Sequence, residues 1–285
     1  MKIRVYSDIH QDHYIDGFHQ TQLASDIARP KVWYPPELPD DKDTILLLVG
    51  DLWIGTRFIE WAGYSWIGDI ATRFKQVLIV LGNHDYWPQG DLSITNGGDK
   101  CNAMLQDAGI LNVQVLDCDT FTVDDFMFVG ATLWTDMLKR DPLTMHNMNN
   151  FMRYDGKIAY ATGSNGGWAR FTSEKWVKTH YNHKRYIESI AQQNRDKNIV
   201  VLTHHLPLST LVDPKYIGAS ENNYYCSDLS DLILDNVNIK YWFYGHTHWQ
   251  HDTYMVHCRL INNAVGYLTE ENEGWGRVKH GVIEL

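Results

Sequence analysis

Five short stretches of this chain end a strand-like run on side chains that bind metal ions. They are Asp8-Ile9-His10, Gly50-Asp51, Gly82-Asn83-His84-Asp85, Thr203-His204-His205 and Gly245-His246-Thr247-His248. Together they offer Asp8, His10, Asp51, Asn83, His204, His246 and His248 as nitrogen and oxygen donors, with no thiolate among them. A mixed carboxylate, imidazole and amide set suits Mn, Fe, Zn or Ni ions better than Ca. Asp8 and His10 stand two residues apart, as do His246 and His248, and on extended backbone such pairs point the same way. The glycines at 50, 82 and 245 allow sharp turns and let backbone approach an ion closely.

These stretches need elements that bring them side by side. Lys2 to Tyr6 reads as a strand that runs straight into Ser7-Asp8. The runs Thr44–Val49, Val77–Leu81 and Ile199–Leu202 are continuously apolar, as expected of strands buried on both faces. Ile239–Tyr244 reads as a further strand, ending at Gly245-His246. In open α/β sheets, ligand sites form at the carboxyl ends of strands. The spacing also predicts a helix over 56–74 with Thr56 as N-cap, helices over 99–109, 173–195 and 227–234, and strands over 113–116, 121–123 and 126–131. Residues 11–43 hold four prolines and read as an irregular insertion. Residues 135–172, rich in Asn, Gly, Met and aromatics, read as a long loop, and the tail over 252–284 as antiparallel strands. No repeat, low-complexity tract or linker interrupts the chain, so a single domain over 1–285 with loop insertions at about 11–43 and 135–172 is expected.

Composition narrows the function classes. The formal net charge is −10 over 285 residues, which argues against broad binding to nucleic-acid backbone or anionic membrane. A small phosphate substrate remains compatible, because bound cations reverse the local field. The four cysteines are scattered with no CxxC pair, so free thiols are expected rather than a disulfide framework. No signal peptide and no apolar run of about 18 residues is visible, so the expected location is cytoplasmic, away from membranes.

The five stretches, in order, resemble the calcineurin-like metallophosphoesterase superfamily, whose motifs run D-x-H, G-D, G-N-H-[DE], H and G-H-x-H. The resemblance covers residues 8–248. The stretches Val129–Trp134, Thr203–Pro207 and Asn262–Tyr267 look like the small bacterial and phage members. The resemblance implies an α/β fold: a four-layer α/β/β/α sandwich of two mixed sheets. It also implies two divalent metal ions, one held by Asp8, His10, Asp51 and His248, the other by Asp51, Asn83, His204 and His246. Asp51 would bridge them. A metal-bridging hydroxide would then attack phosphorus in line. His84, the family's non-ligand histidine by position, would be general acid for the leaving oxygen or a donor to a phosphate oxygen.

One departure bears on the substrate. Protein Ser/Thr phosphatases of the superfamily carry G-D-x-V-D-R-G, whereas this chain reads Gly50-Asp51-Leu52-Trp53-Ile54-Gly55-Thr56. The second Asp and the Arg are absent, and with them the group that orients the corresponding histidine. The expected function is therefore hydrolysis of a phosphodiester or small phosphomonoester. A nuclease acting on DNA or RNA ends, and a non-catalytic scaffold on the same fold, are the alternatives. His205, Asn147, Asn149 and Arg153 are candidate substrate contacts. Trp53, Tyr86 and Trp87 flank the motifs and either stack on a nucleobase or aryl group or only wall the cleft. His13, His19, His146, His180, His183, His251, His257 and His280 are given no role.

Overall fold

The computed structural model describes residues 1–15, 32–162, 167–267 and 279–285. In chain order its elements are β1 (Lys2–Tyr6), α1 (Gln11–Ile15), β2 (Thr44–Val49), α2 (Trp66–Ala71), β3 (Gln76–Val80), α3 (Gly97–Asp107), β4 (Val113–Val115), β5 (Asp119–Val123) and β6 (Phe126–Ala131). There follow α4 (Met137–Arg140, a single irregular turn), α5 (Pro142–Phe151), β7 (Ala159–Thr162), β8 (Gly167–Arg170), α6 (Ser173–Gln193), β9 (Asn198–Thr203), α7 (Ser230–Asp235), β10 (Ile239–Tyr244), β11 (His251–Met255), β12 (Cys258–Asn262) and β13 (Ile283–Glu284).

Two mixed sheets dominate. One has the order β13-β1-β2-β3-β4 and the other β11-β12-β10-β9-β6-β5. In each, the inner strands run parallel; the first sheet has an antiparallel strand at one edge, β13, and the second at both, β11 and β5. Alternation along β2 shows why its sequence is apolar throughout. Ile45, Leu47 and Val49 join Phe128, Val200, Leu202 and Phe243 in a core between the sheets. Leu46 and Leu48 face the other way, toward Trp66, Ile67 and Ile70 of α2 and Cys101 and Leu105 of α3. On the far side of the second sheet, Val201, Trp242 and Tyr244 pack with Ile187 and Ala191 of α6 and Leu232 and Ile233 of α7. Helix layer, sheet, sheet and helix layer make the four-layer sandwich, as expected.

Three local expectations need correction. Only Trp66–Ala71 of the expected helix over 56–74 is helical, capped by Ser65, whose hydroxyl accepts from the Gly68 amide at 3.0 Å. Thr56 cannot cap it, because Asp91 takes both its amide and its hydroxyl at 2.9 Å. Residues 135–172 are not one long loop. They contain α5, opened by Asp141 accepting from the Thr144 amide with Pro142 in the first turn, and the β7–β8 hairpin. The stretch over 11–43 begins as helix α1, and the Gln11 amide brackets the Trp33 backbone at 2.7 and 3.1 Å. Asp41, farther along, is gripped by the buried Arg4 at 2.5 Å and by Arg73 at 2.7 Å. Residues 16–31, which include His19, lie outside the described residues, as do 163–166 and 268–278. In the tail, β11 and β12 pair antiparallel and β13 adds antiparallel to β1.

Candidate metal centre

The carboxyl ends of β1, β2 and β3 lie together in one sheet, and those of β9 and β10 in the other. The two sheets meet at this end. The His246 amide donates to Asp8 Oδ1 at 3.0 Å, and the Gly266 amide to the Asp8 carbonyl at 2.9 Å. The way paired donors converge differs from expectation. Asp8, His10, Asp51 and His246 all have positive φ, between 49° and 69°, so the chain leaves each strand through left-handed turns rather than continuing extended. Such backbone costs about 1–3 kcal/mol per residue and clusters at functional sites. Gly50 has φ +87°, and a Cβ there would strike the His204 ring; a Cβ at Gly82 would strike the Asp51 carboxylate.

The side chains of Asp8, His10, Asp51, Asn83, His204, His246 and His248 come together at this end. His204 Nε2 lies 3.3 Å from Asp51 Oδ2, 3.0 Å from Asn83 Oδ1 and 3.2 Å from His246 Nδ1. His10 Nε2 lies 3.2 Å from His248 Nε2 and 3.8 Å from Asp51 Oδ2, and His248 Nε2 is 3.8 Å from Asp8 Oδ1. Donor atoms of Asp8, His10 and His248 fall within 4.8 Å of one another, and so do those of Asp51, His204 and His246. His204 Nδ1–H donates to the Val49 carbonyl at 3.0 Å, which turns Nε2 toward Asp51 and Asn83, where it holds a proton that a cation would displace.

The donor chemistry fits a cation. Imidazole lone pairs face one another and an amide oxygen at about hydrogen-bond distance, inside a buried pocket, and only a proton or a cation makes such pairs attractive. Burial holds His10 and His246 well below the usual imidazole range, so they stand neutral, the form in which imidazole can take a cation. Burial also opposes ionisation of Asp51, but the His204 imidazole, pushed up to about 9 by the Asp51 charge against its own burial, outweighs it and keeps the carboxylate charged.

A cavity of about 670 Å³ opens over the cluster. Asp51, Asn83, His84, His246 and His248 form its floor side, and its walls include Trp87, Arg153, Tyr154, Lys215, Tyr225 and Tyr267.

A calcineurin-like phosphoesterase model matches residues 1–250 of the sequence. The chain belongs to that family. The family is metal-dependent and hydrolyses phosphoesters, and this chain is a phosphoesterase of that kind. An uncharacterized protein of Acanthamoeba polyphaga mimivirus is 26% identical over 279 residues, covering 95% of this chain and 92% of that one. Among solved structures, the Phosphopantetheinyl Hydrolase of Mycobacterium tuberculosis aligns with 100% of this chain and 95% of its own at 14% identity and a TM-score of 0.61, a likeness of fold. A putative 5'-nucleotidase of Staphylococcus aureus aligns with 93% of this chain and 48% of its own, at 17% identity and a TM-score of 0.45. No helix among the described residues is long and apolar enough to cross a membrane.

His84 lies beside the cluster, with Nε2 3.9 Å from Asp51 Oδ2. Burial pushes its imidazole down to about 3. Among the described residues no carboxylate accepts from its Nδ1; its ring stacks on Trp87 at 3.5 Å and 26°. Of the candidate substrate contacts, Arg153 lines the cavity, whereas Asn147, Asn149 and His205 do not. Asn147 and Asn149 sit on α5, and the wall begins one residue later, at Asn150. His205 is fully buried; Nδ1–H donates to the Thr132 carbonyl at 3.2 Å and the ring lies 4.4 Å from that of His246. Trp53 and Tyr86 are core residues and offer no face to a ligand, while Trp87 is on the wall.

Sequence reasoning missed several residues around the site. Asp85 accepts from four amides: Oδ2 from Asp51 and Gly82 at 3.0 and 2.6 Å, and Oδ1 from Leu52 and Trp53 at 2.9 and 3.1 Å. It ties the turn after β2 to the turn after β3, and its place inside Gly82–Asp85 was the signal. Tyr267 lies 4.4 Å from His10 and 4.6 Å from His248, and His13, given no role, stacks on it at 4.4 Å. Asp155 accepts from Asn83 Nδ2 at 2.8 Å, and no local pattern announces it.

Proposed function

We propose that the chain is a dinuclear metal-dependent phosphoesterase, acting as a single domain, that hydrolyses a phosphodiester or small phosphomonoester. The observation that carries this reading is the convergence of carboxylate, imidazole and amide donors from both sheets on one end of a cavity large enough for a small organic phosphate. Asp8, His10, Asp51 and His248 would hold one cation, and Asp51, Asn83, His204 and His246 the other. When bound, divalent cations supply Lewis acidity, which makes water a nucleophile near neutral pH and meets the charge developing on phosphoryl oxygens.

The chain's own residues supply the rest. The His84 imidazole is neutral, and its Nδ1 is buried without a hydrogen-bond partner. The tautomer that suits this setting carries its proton on Nε2, toward Asp51 and the cavity. His84 therefore donates a hydrogen bond to a phosphoryl or leaving-group oxygen as water's oxygen bonds to phosphorus and the ester P–O bond breaks. Arg153 on the cavity wall is exposed and suits an anionic oxygen of the substrate. The wall also carries Asp213 and Glu221, so it forms no continuous basic track for a nucleic-acid backbone. With Ile54 and Gly55 in place of the phosphatase-type Asp and Arg, phosphoproteins are disfavoured.

A screen of Mn-, Zn- and Fe-reconstituted protein tests this. Turnover is expected on bis-aryl phosphodiesters or aryl monophosphates, above that on phosphopeptides. Turnover confined to phosphopeptides would refute the assigned substrate class.

A further inference from the structure

Asn83 and His84 are adjacent in sequence but are expected to do different jobs, one as ligand and one as donor. Each is held from the same direction by the segment that follows α5. Asn83 has an amide whose two ends are chemically opposite. Its Nδ2 donates to Asp155 Oδ1 at 2.8 Å, and this fixes Oδ1 toward His204 Nε2, 3.0 Å away. Asp155 is buried, and a reversed Asn83 amide would set oxygen against its carboxylate. Among the described residues, His84 has no hydrogen-bonded orienter at Nδ1. Its ring plane is instead fixed by Trp87, stacked at 3.5 Å, and Trp87 is backed by Tyr154, stacked at 4.7 Å and 24°. Tyr154 and Asp155 are consecutive, so one short segment reaches both halves of the pair.

We propose that Tyr154 and Asp155 form a positioning clamp on the Asn83-His84 pair: Asp155 sets the Asn83 amide so that its oxygen faces the cation site, and Tyr154, through Trp87, sets the plane of the His84 imidazole. This rests on the phosphoesterase reading above. It gives the insertion over 135–172 a part in building the site that is separate from contact with substrate. Asp155, Trp87 and Tyr154 are positioning residues: they act through Asn83 and His84. The two arms have different signatures. Loss of the Asp155 arm weakens cation binding at the Asn83 side. Loss of the Trp87 arm lowers turnover and leaves cation binding alone.

The test uses the full chain, stripped with chelator and titrated with Mn²⁺ by calorimetry, alongside kcat and KM on a bis-aryl phosphodiester. Asp155→Ala should weaken one of two Mn²⁺ binding events by about ten- to a hundredfold. Asp155→Asn, which keeps an acceptor oxygen, should stay close to wild type. Trp87→Leu should lower kcat by about tenfold with Mn²⁺ binding unchanged, a loss of the size expected when a donor loses its aim. Trp87→Phe should recover most of it. Should Asp155→Ala fail to fold, Asp155→Leu, which fills the space without an acceptor, tests the same arm by Mn²⁺ binding; Tyr154→Ala, at a residue 40% exposed, tests the other, and a fall in kcat with unchanged Mn²⁺ binding is expected there. Wild-type Mn²⁺ binding in Asp155→Ala, or equal losses in Trp87→Phe and Trp87→Leu, would overturn the clamp and leave the phosphoesterase reading standing. A wild-type chain that neither binds Mn²⁺ nor hydrolyses the diester would overturn both.

Discussion

At the strand ends, backbone does the positioning. Asp8, Asp51 and His246 each follow their strand by two residues, in left-handed turns that neighbouring amides and carbonyls hold in place. The Asp51 turn is tied by amides that converge on Asp85. In the insertion over 135–172, side chains do the positioning. Asp155 reaches Asn83 through one hydrogen bond, and Tyr154 reaches His84 through two stacked rings. The first arrangement places ligand atoms within the tolerance of sheet register. The second orients Asn83 and the neighbouring His84 from outside, on a support that packs through α5 against α6. Ligand position and ligand orientation are thus built by different parts of the molecule.

His84→Ala tests the seam between the two and carries the largest expected effect of the substitutions. Turnover should fall by about a hundred- to a thousandfold with bound metal unchanged, measured as kcat beside metal content. Parallel loss of metal would make His84 a ligand and erase the distinction. Asp85→Asn strikes the backbone half alone. It sets an NH₂ against amide donors in a buried site, and a melting experiment should show a loss of about 2 kcal/mol. Turnover should fall with it, because Asp51 loses its turn. An unchanged melting temperature would mean that the strand ends hold without that tie.

The smallest effect concerns the root of the insertion and depends on pH. His183 Nδ1 accepts from the Leu133 amide at 3.1 Å, and His180 Nδ1–H donates to the Leu133 and Trp134 carbonyls at 3.2 and 3.3 Å. Burial pushes His183 down to about 3 and His180 to about 4. The unfolded chain protonates such residues near 6.5 while the folded chain stays neutral, so the unfolded state binds more protons and stability falls as pH drops below about 6.5. His183 alone should cost about 2 kcal/mol between pH 7 and pH 5. In urea unfolding, wild type should exceed His183→Gln at pH 7, and the gap should close by pH 5. A gap independent of pH would remove His183 from the account.

The same division explains what could be read from the sequence. The strand ends were legible because β2, β3 and β9 are apolar on both faces and their ligands follow at once in the chain. The four-layer fold came with the family resemblance. The left-handed turns at Asp8 and His10 were not legible, since a two-residue spacing fits extended backbone equally well. Asp155 and Tyr154 were hidden because each lies about 70 residues from its partner and neither type is distinctive. The Asp141-Pro142 start of α5 was present in the sequence but was outweighed by the Asn, Gly and Met content around it. Thr56 misled as a helix cap because Asp91, a remote residue, claims its hydroxyl.

The central claim is that the strand ends build a two-cation site that hydrolyses phosphoesters. Metal analysis of the reconstituted chain, taken together with hydrolysis of a bis-aryl phosphodiester, tests it most directly. The account predicts two ions per chain and turnover that rises as they are restored. Fewer than one ion per chain, or full turnover in chelator-stripped protein, would contradict it.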